Sequence, residues 1–353
     1  MKEESEFQKI TIHDYLIHLK EYFLVLGTGL FGWAYQVPFI IKILKNDYKK
    51  YNKNLFSLLW NAFVKYQLLG FSPSEYFEYQ LYKNDYKNYV PAIDLINDSK
   101  INRMSVDLLI SKYKFKKRLI ENNISTPKLI AYYNHKEKKI YHYEKPNMEK
   151  VIIKPNRGGG GRGIKILKYD NYENFVKKMK KDYLVEEYIK QHSFLNKIFD
   201  GSVNSIRILT IKKNNDFVIL RTILRTGRKT TKGVDNFSKG GLSIDIDLET
   251  GILKKGKTHF KHGEDEYERH PDTGFKFYGE KLPFYDELKK LALTAHKCFP
   301  MFNMVGWDIA LTEKGPIIIE GNRTPGFFVF QIHEGFKSKL IDTIYYKKEK
   351  NYS

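Results

Sequence analysis

The 353-residue sequence predicts an α+β chain with a helical front and a sheet-rich rear. Three observations carry this. Between Asn54 and Leu69 the apolar residues Leu55, Leu58, Leu59, Ala62, Phe63 and Tyr66 fall on one face of a helix. Beyond Ser205 the pattern turns to short apolar or alternating runs. Asn214-Asn215, Thr250-Gly251 and Lys314-Gly315 separate neighbouring runs as turns. Hydrophobic residues make up 42% and charged residues 29%, a globular balance in a chain long enough for two or three packed subdomains.

Taken in order, residues 1–100 read as helical segments with aromatic faces, and residues 101–345 as a second region. Tyr22 to Ile41 carries no charge over 20 positions and is followed by basic residues. Its length suits a membrane span, but Gly27, Gly29, Gly32, Gln36 and Pro38 weaken a single helix. A buried helix-turn-helix, docking on a membrane surface and a span all remain open. Ser74 to Tyr82 reads as a short helix capped by Ser72 or Ser74. Asp107 to Asn123 reads as a lysine-rich helix that stops before Pro127. Strands follow at 128–133, 139–143, 151–154 and 164–167, then a helix at 172–181 and a strand at 183–188. The rear holds strands at 206–212, 217–225, 242–248, 309–312 and 316–320, with one helix at 285–299.

The formal net charge is +20, a field that attracts anions such as nucleotides or an anionic membrane face. The basic residues are spread along the chain, with no zinc-finger spacing and no aromatic RNA-binding signature, so nucleic acid is not the expected partner. A single cysteine, Cys298, excludes a disulfide framework and fits a reducing compartment. His259, His262 and His270 have no cysteine nearby and do not read as a zinc site.

The strongest local feature runs from Lys154 through Gly158, Gly159, Gly160, Gly161, Arg162 and Gly163. Successive glycines let backbone N–H groups approach a phosphate. A dinucleotide loop needs a helix directly after it, yet Ile164 to Leu167 alternates as a strand. A Walker loop ends in Gly-Lys-Ser/Thr, and a protein-kinase loop has its lysine after the glycines rather than before. What remains is strand, lysine, glycine hairpin, strand. In the rear, Asp308 lies on one strand, and Glu320 and Asn322 end the next. Two carboxylates and an amide oxygen then face one side of a hairpin, as a magnesium site requires.

These residues resemble the ATP-grasp superfamily. Glu320 to Gly326 is similar to its E-x-N-x-x-P-G segment, Val151 to Pro155 to the strand bearing its phosphate lysine, and Leu184 to Ile189 to its adenine hinge. Lys112, with Lys114 as the alternative, matches its other nucleotide lysine. Ser205 to Leu209, Leu224-Arg225, Asp235-Asn236 and Gly240-Gly241 resemble the ribosomal-protein glutamate ligases, and D-alanine–D-alanine ligase is similar too. The nearest resemblance is to the sugar-transfer-associated ATP-grasp group, through Ser202 to Arg207, Val234 to Asn236, His270 to Gly274 and Gly306 to Asp308. One departure stands out: Gln191-His192-Ser193 replaces the usual acidic ribose ligand.

The resemblance implies an ATP-grasp fold of two α+β subdomains clasping ATP, a glycine-loop part over 151–190 and a catalytic part over 191–345, behind the helical N-terminal region. It implies ATP and Mg2+ as cofactors and a carboxylate–amine ligase working through an acyl phosphate in cell-surface polysaccharide biosynthesis. The nucleotide would be held by Lys112, Lys154, Gly159, Gly160, Gly161, Arg162, Gly163, Glu186, Glu187, Tyr188 and Ile189. The metal would be held by Asp308, Glu320 and Asn322, with Arg225, Arg207 and Lys154 at the reacting groups. The expected partners are a small-molecule carboxylate and an amine, such as an amino acid and a sugar or glycan intermediate. The expected location is the cytoplasm, with peripheral contact to the inner face of the membrane through Tyr22–Ile41.

Overall fold

The computed structural model describes residues 54–92, 94–95, 107–145, 149–231, 233–262 and 266–340, together with Pro38, Ile40 and Ile41. The Tyr22–Ile41 stretch, but for those three residues, lies outside the described ones. Among the described residues no helix is long and apolar enough to cross a membrane. The chain divides into two compact units at Leu95.

In the first unit, α1 (Leu55–Leu69) starts where Asn54 Oδ1 accepts from Ser57 N at 2.7 Å. It ends at Gly70, whose φ of 76° is the left-handed conformation that glycine adopts without strain. It buries Leu58, Ala62 and Tyr66 and leaves Phe56, Trp60 and Leu68 exposed. In α2 (Pro73–Glu78), Ser72 and Glu75 cap one another's backbone reciprocally. This helix is shorter than the 74–82 expected, because Gln80 takes a left-handed φ of 53°.

The second unit begins with a break the periodicity did not reveal. The helix expected over 107–123 is two, α3 (Asp107–Ile110) and α4 (Lys112–Glu121). Ser111 between them is extended and caps α4 by accepting from Lys114 N at 3.3 Å. Asn156 fixes the break from outside. Its carbonyl accepts from Lys112 N at 2.9 Å, and its Oδ1 accepts from Ser111 Oγ at 3.1 Å and Tyr113 N at 3.0 Å.

Five strands then form an antiparallel sheet: β1 (Leu129–Asn134), β2 (Lys139–His142), β3 (Lys150–Pro155), β4 (Lys165–Lys168) and β5 (Tyr183–Glu187), in the order β2-β1-β5-β3-β4. One face packs Val151, Ile153 and Val185 on Tyr172 and Val176 of α5 (Tyr172–Val176). The other face receives α4, with Tyr113 stacked on Tyr132 at 4.0 Å.

Seven strands form a second antiparallel sheet: β6 (Ser205–Lys213), β7 (Asp216–Thr226), β8 (Leu242–Ile246), β9 (Leu253–Lys257), β10 (Glu266–Tyr267), β11 (Met304–Thr312) and β12 (Gly315–Asn322), in the order β10-β9-β8-β7-β6-β11-β12. Its apolar face (Ile206, Ile208, Leu224, Ile244, Trp307, Ile309 and Ile318) packs on Leu288, Ala292 and Ala295 of the helix Tyr285–Lys297. Phe115 of α4 joins this core against Phe299 at 5.5 Å, so α4 touches both sheets. Strands β9 and β10 were not expected, since Lys254-Lys255-Gly256-Lys257 shows no apolar alternation.

Three further helices lie among the described residues of the unit: α6 (Ser193–Ile198), α7 (Tyr285–Lys297) and α8 (Phe328–Gln331). The sequence did not announce α6, because six residues hold too little periodicity and its support comes from other segments. Asn204 Nδ2 donates to the carbonyls of Leu195 (3.0 Å) and Phe199 (2.6 Å), and Gln191 Nε2 donates to the Phe199 carbonyl at 3.1 Å.

Candidate nucleotide site

Register decides what the polar face of the seven-stranded sheet presents. Asp308 stands directly opposite Glu320 on β12 and opposite Arg207 on β6, while Asn322 stands opposite Gly306. Paired residues share a face, so these side chains converge. Arg207 grips Asp308 in a two-bond fork, Nε to Oδ1 at 2.6 Å and Nη2 to Oδ2 at 2.7 Å, and its Nη1 donates to the Pro325 carbonyl at 3.0 Å. Arg225 approaches from β7, with Nη1 3.4 Å from Asp308 Oδ2 and Nη2 3.1 Å from Asp235 Oδ1. Asn322 Nδ2 lies 3.5 Å from Asp308 Oδ2. Burial pushes the Asp308 carboxyl up, but the two guanidiniums outweigh it and hold it below its ordinary value. Gly306 leaves room for Pro325, which a Cβ there would meet at 2.2 Å.

On the five-stranded sheet, Lys154 on β3 pairs with Leu184 and Ile152 with Glu186, so Lys154 and Glu186 lie diagonally on one face. Glu186 is buried between two ammonium groups. Lys154 Nζ contacts its Oε2, and Lys116 Nζ lies 2.9 Å from its Oε1. Lys116 also donates to Thr126 Oγ1 at 2.6 Å and to the Pro127 carbonyl at 2.8 Å. Burial lowers the Lys116 ammonium to about 8, against the pull of Glu186. Burial pushes Glu186 up, yet Lys116 and Lys154 prevail and hold it at about 2.

Lys112 joins the two sheets. Its Nζ lies 3.0 Å from Glu320 Oε1 and 2.5 Å from the Gly158 carbonyl. The glycine loop Gly158–Gly163 is exposed, with Gly158, Gly160, Gly161 and Gly163 at positive φ.

Residues 175–343 match the family model described as sugar-transfer associated ATP-grasp. Over that stretch the chain is similar to ATP-grasp proteins.

Among solved structures it is similar to the L-amino acid ligase from Bacillus licheniformis, at 14% identity and a TM-score of 0.40, over 64% of this chain and 42% of that one. It is similar to D-alanine–D-alanine ligase from Bacillus anthracis at 16% and 0.37, over 71% and 65%. It is also similar to VanG D-Ala:D-Ser ligase from Enterococcus faecalis at 13% and 0.40, over 66% and 62%. The chain spans less than two thirds of each, and these scores carry no function across. Among curated proteins none matches.

The residues singled out from the sequence gather in separate sets: Lys154 pairs with Glu186, Lys112 with Glu320, and Arg207, Arg225 and Asn322 converge on Asp308. Glu187, Tyr188 and Ile189 follow Glu186 at the end of β5, and Glu187 N donates to the Lys128 carbonyl at 3.0 Å. Arg162 stays on the exposed loop, its Nε 3.4 Å from the Gly159 carbonyl. Lys114, the alternative to Lys112, points elsewhere and pairs with Asp107 at 2.6 Å.

Lys116 was missed. Its signal was available: it follows Lys112 by one helical turn and shares its face. Gln191, which stands where an acidic ribose ligand was expected, is a buried brace that donates to the carbonyls of Phe199 and Ser202 and accepts from Asn204 N at 2.8 Å. His270 is likewise buried, bonded to the Gly227 carbonyl at 2.8 Å and stacked on Phe199.

Magnesium suits the donors present. Asp308, Glu320 and Asn322 offer hard oxygens from paired strands. Among the described residues no three His, Cys, Asp or Glu side chains gather as metal ligands.

Proposed function

We propose that the chain is an ATP-dependent carboxylate–amine ligase that forms an amide through an acyl phosphate in cell-surface polysaccharide biosynthesis. The observation that carries the reading is Lys112, whose single ammonium touches both the glycine loop and Glu320. A phosphate chain seated there would meet the lysines of one sheet and the carboxylates of the other.

Lys112 and Lys154 hold phosphate oxygens, and Glu186 to Ile189 border the adenine. Gly159 to Gly163, with Arg162, fold over the phosphates and exclude water, which protects an acyl phosphate from hydrolysis. Asp308, Glu320 and Asn322 would hold Mg2+, which supplies charge neutralisation at the phosphate oxygens. Arg207, Arg225 and Lys112 are balanced in charge by Asp308, Asp235 and Glu320, so a bound divalent cation leaves a positive field for an anionic intermediate. The substrate carboxylate oxygen attacks the γ-phosphorus as the bond to ADP breaks. The amine then attacks the acyl carbon, expels phosphate and loses a proton. Arg207 and Arg225 steady the charge that builds on the transferred group.

Incubation with Mg-ATP, a carboxylate and an amine tests this. ADP, phosphate and an amide in equal amounts are expected. ADP with a phosphorylated product would replace the ligase by a phosphotransferase, and no thermal stabilisation by Mg-ATP would leave a scaffold.

A cytoplasmic location with peripheral membrane contact through Tyr22–Ile41 belongs to the same proposal. It is supported by the uncharged stretch, the net charge of +20 and the exposed Phe56 and Trp60 of α1. Deleting residues 22–41 should release the protein from anionic liposomes while Mg-ATP still binds; retention on the liposomes would refute that contact.

A further inference from the structure

A second concentration of positive charge lies at one end of the five-stranded sheet. There β1 ends, β5 begins and β3 ends, because Tyr183 pairs with Tyr133 on one side and with Pro155 on the other. The β1–β2 turn carries Lys136, Lys138 and Lys139, and the segment between α5 and β5 carries Lys178, Lys180 and Lys181; all six are exposed. The proposed phosphate chemistry uses none of them.

Asp182 ties the two segments together. Its Oδ1 accepts from His135 N and its Oδ2 from Tyr132 Oη, each at 2.9 Å. Glu137, the acid on the turn, is engaged as well. Its Oε1 accepts from Asn134 Nδ2 at 2.8 Å, and its Oε2 accepts from Tyr141 Oη. Glu173 is taken by Lys177 at 2.9 Å. Among the described residues, Lys136, Lys138, Lys178, Lys180 and Lys181 form no ion pair, and Lys139 lies over the Tyr141 ring at 4.9 Å. Soluble surfaces ordinarily intersperse charges of both signs. Here the nearby carboxylates are committed to hydrogen bonds, and the ammoniums are left to solvent.

The chemistry of the patch selects its partner. It holds no arginine, so it lacks the planar fork that grips a single phosphate or carboxylate. The tyrosines of this end, Tyr132, Tyr133 and Tyr183, are buried, which leaves nucleic-acid bases no ring to stack on. Flexible point charges on a turn and beyond a helix end fit diffuse negative charge, as the headgroups of an anionic bilayer present it.

We infer that this lysine end of the five-stranded sheet docks on an anionic lipid surface. Asn156 N donates to the Asp182 carbonyl at 2.9 Å, and Asn156 leads from β3 toward the glycine loop. Docking here therefore brings the loop end of the proposed ATP site toward the bilayer. The inference deepens the peripheral-membrane reading and rests on it: the lysines add an electrostatic contact to the uncharged Tyr22–Ile41 stretch, and stable anchoring takes two signals.

The full-length protein is sedimented with vesicles of phosphatidylcholine alone, or with about 30% phosphatidylserine, at low salt. The parent should bind the mixed vesicles and leave them as NaCl rises. Lys136→Gln/Lys180→Gln/Lys181→Gln should bind them about a hundredfold more weakly, since each lysine near such a surface contributes about fivefold. Lys138→Gln/Lys178→Gln, which alters other members of the patch, should lose about twenty-fivefold by the same arithmetic. Both variants should keep the parent's circular dichroism and its Tm shift with Mg-ATP. Equal binding of neutral and anionic vesicles by the parent, or equal affinity in parent and variants, would overturn the inference. So would loss of the Mg-ATP shift in both variants, which would give these lysines to the nucleotide. Tighter binding of a single-stranded oligonucleotide than of the vesicles would make the partner a nucleic acid instead. Deleting residues 22–41 separates the two contacts. If that deletion stays on the vesicles while the lysine variants leave them, the Tyr22–Ile41 contact fails and the lysine contact stands; the reverse result sinks the lysine contact alone.

Discussion

The two sheets of the second unit use charge in opposite ways. On the five-stranded sheet, Glu186 is sealed between Lys116 and Lys154, and all three side chains are buried. On the seven-stranded sheet, Arg207 and Arg225 pair with Asp308 and Glu320 pairs with Lys112 of α4, and Arg207, Arg225 and Glu320 stay partly open to solvent. A sealed triad keeps its geometry whether or not a ligand is present, because breaking it would leave an unpaired charge in a dry interior. An open network can exchange its partners, which suits residues that must release one another to take a cation, a phosphate or a carboxylate. The structure thus combines a fixed wall on one sheet with an exchangeable wall on the other.

The largest effect should come from the open wall. Glu320→Ala removes a proposed metal donor, and ADP formation should fall about a thousandfold while circular dichroism stays that of the parent. Full activity in this variant would move the chemistry off the seven-stranded sheet.

Stability should respond the other way round. Glu186→Gln leaves Lys116 and Lys154 as buried like charges and should destabilise by about 3–5 kcal/mol in urea unfolding. Glu320→Gln, at a partly exposed pair with Lys112, should change stability by less than about 1 kcal/mol. Similar losses in both would erase the distinction between the walls.

The contrast also has a pH signature. The folded-state value of Glu186, about 2, lies below the ordinary 4.5. Its contribution to stability is therefore complete above about pH 4.5 and drains away as the pH falls toward 2. Acid unfolding of the parent should steepen in that window, and Glu186→Gln should flatten it; an unchanged acid limb would show that the triad is not sealed.

The smallest effect separates neighbouring lysines. Lys112→Ala should raise the KM for ATP about tenfold, since it loses the contact to both walls. Lys114→Ala, at an exposed pair with Asp107, should leave the KM unchanged and alter stability by less than about 0.5 kcal/mol. Equal KM effects would mean that α4 is rotated from the position described.

Much of this arrangement was legible because it is local. Lys154 and the glycine run are consecutive, and Asp308 and Glu320 lie on neighbouring strands of one hairpin, although a bulge between Asp308 and Ile309 is what sets Asp308 opposite Glu320. The short strands and helices were harder. Lys254 to Lys257 becomes β9 through pairing with β8, not through its own pattern. The helix α6 exists because Gln191 and Asn204 satisfy backbone groups around it. The break at Ser111 needed Asn156, which belongs to another segment.

The sequence by itself determined the type of the longer elements and the lysine-before-loop order, because periodicity and turn chemistry act over a few residues. Tertiary structure decided which of three lysines on one helix meets which partner: Lys112 the loop and Glu320, Lys114 Asp107, and Lys116 Glu186. It also decided that Arg221 is buried against a carboxylate from a distant segment. Spacing along the chain sets the face a side chain leaves from, but only packing sets the charge that awaits it.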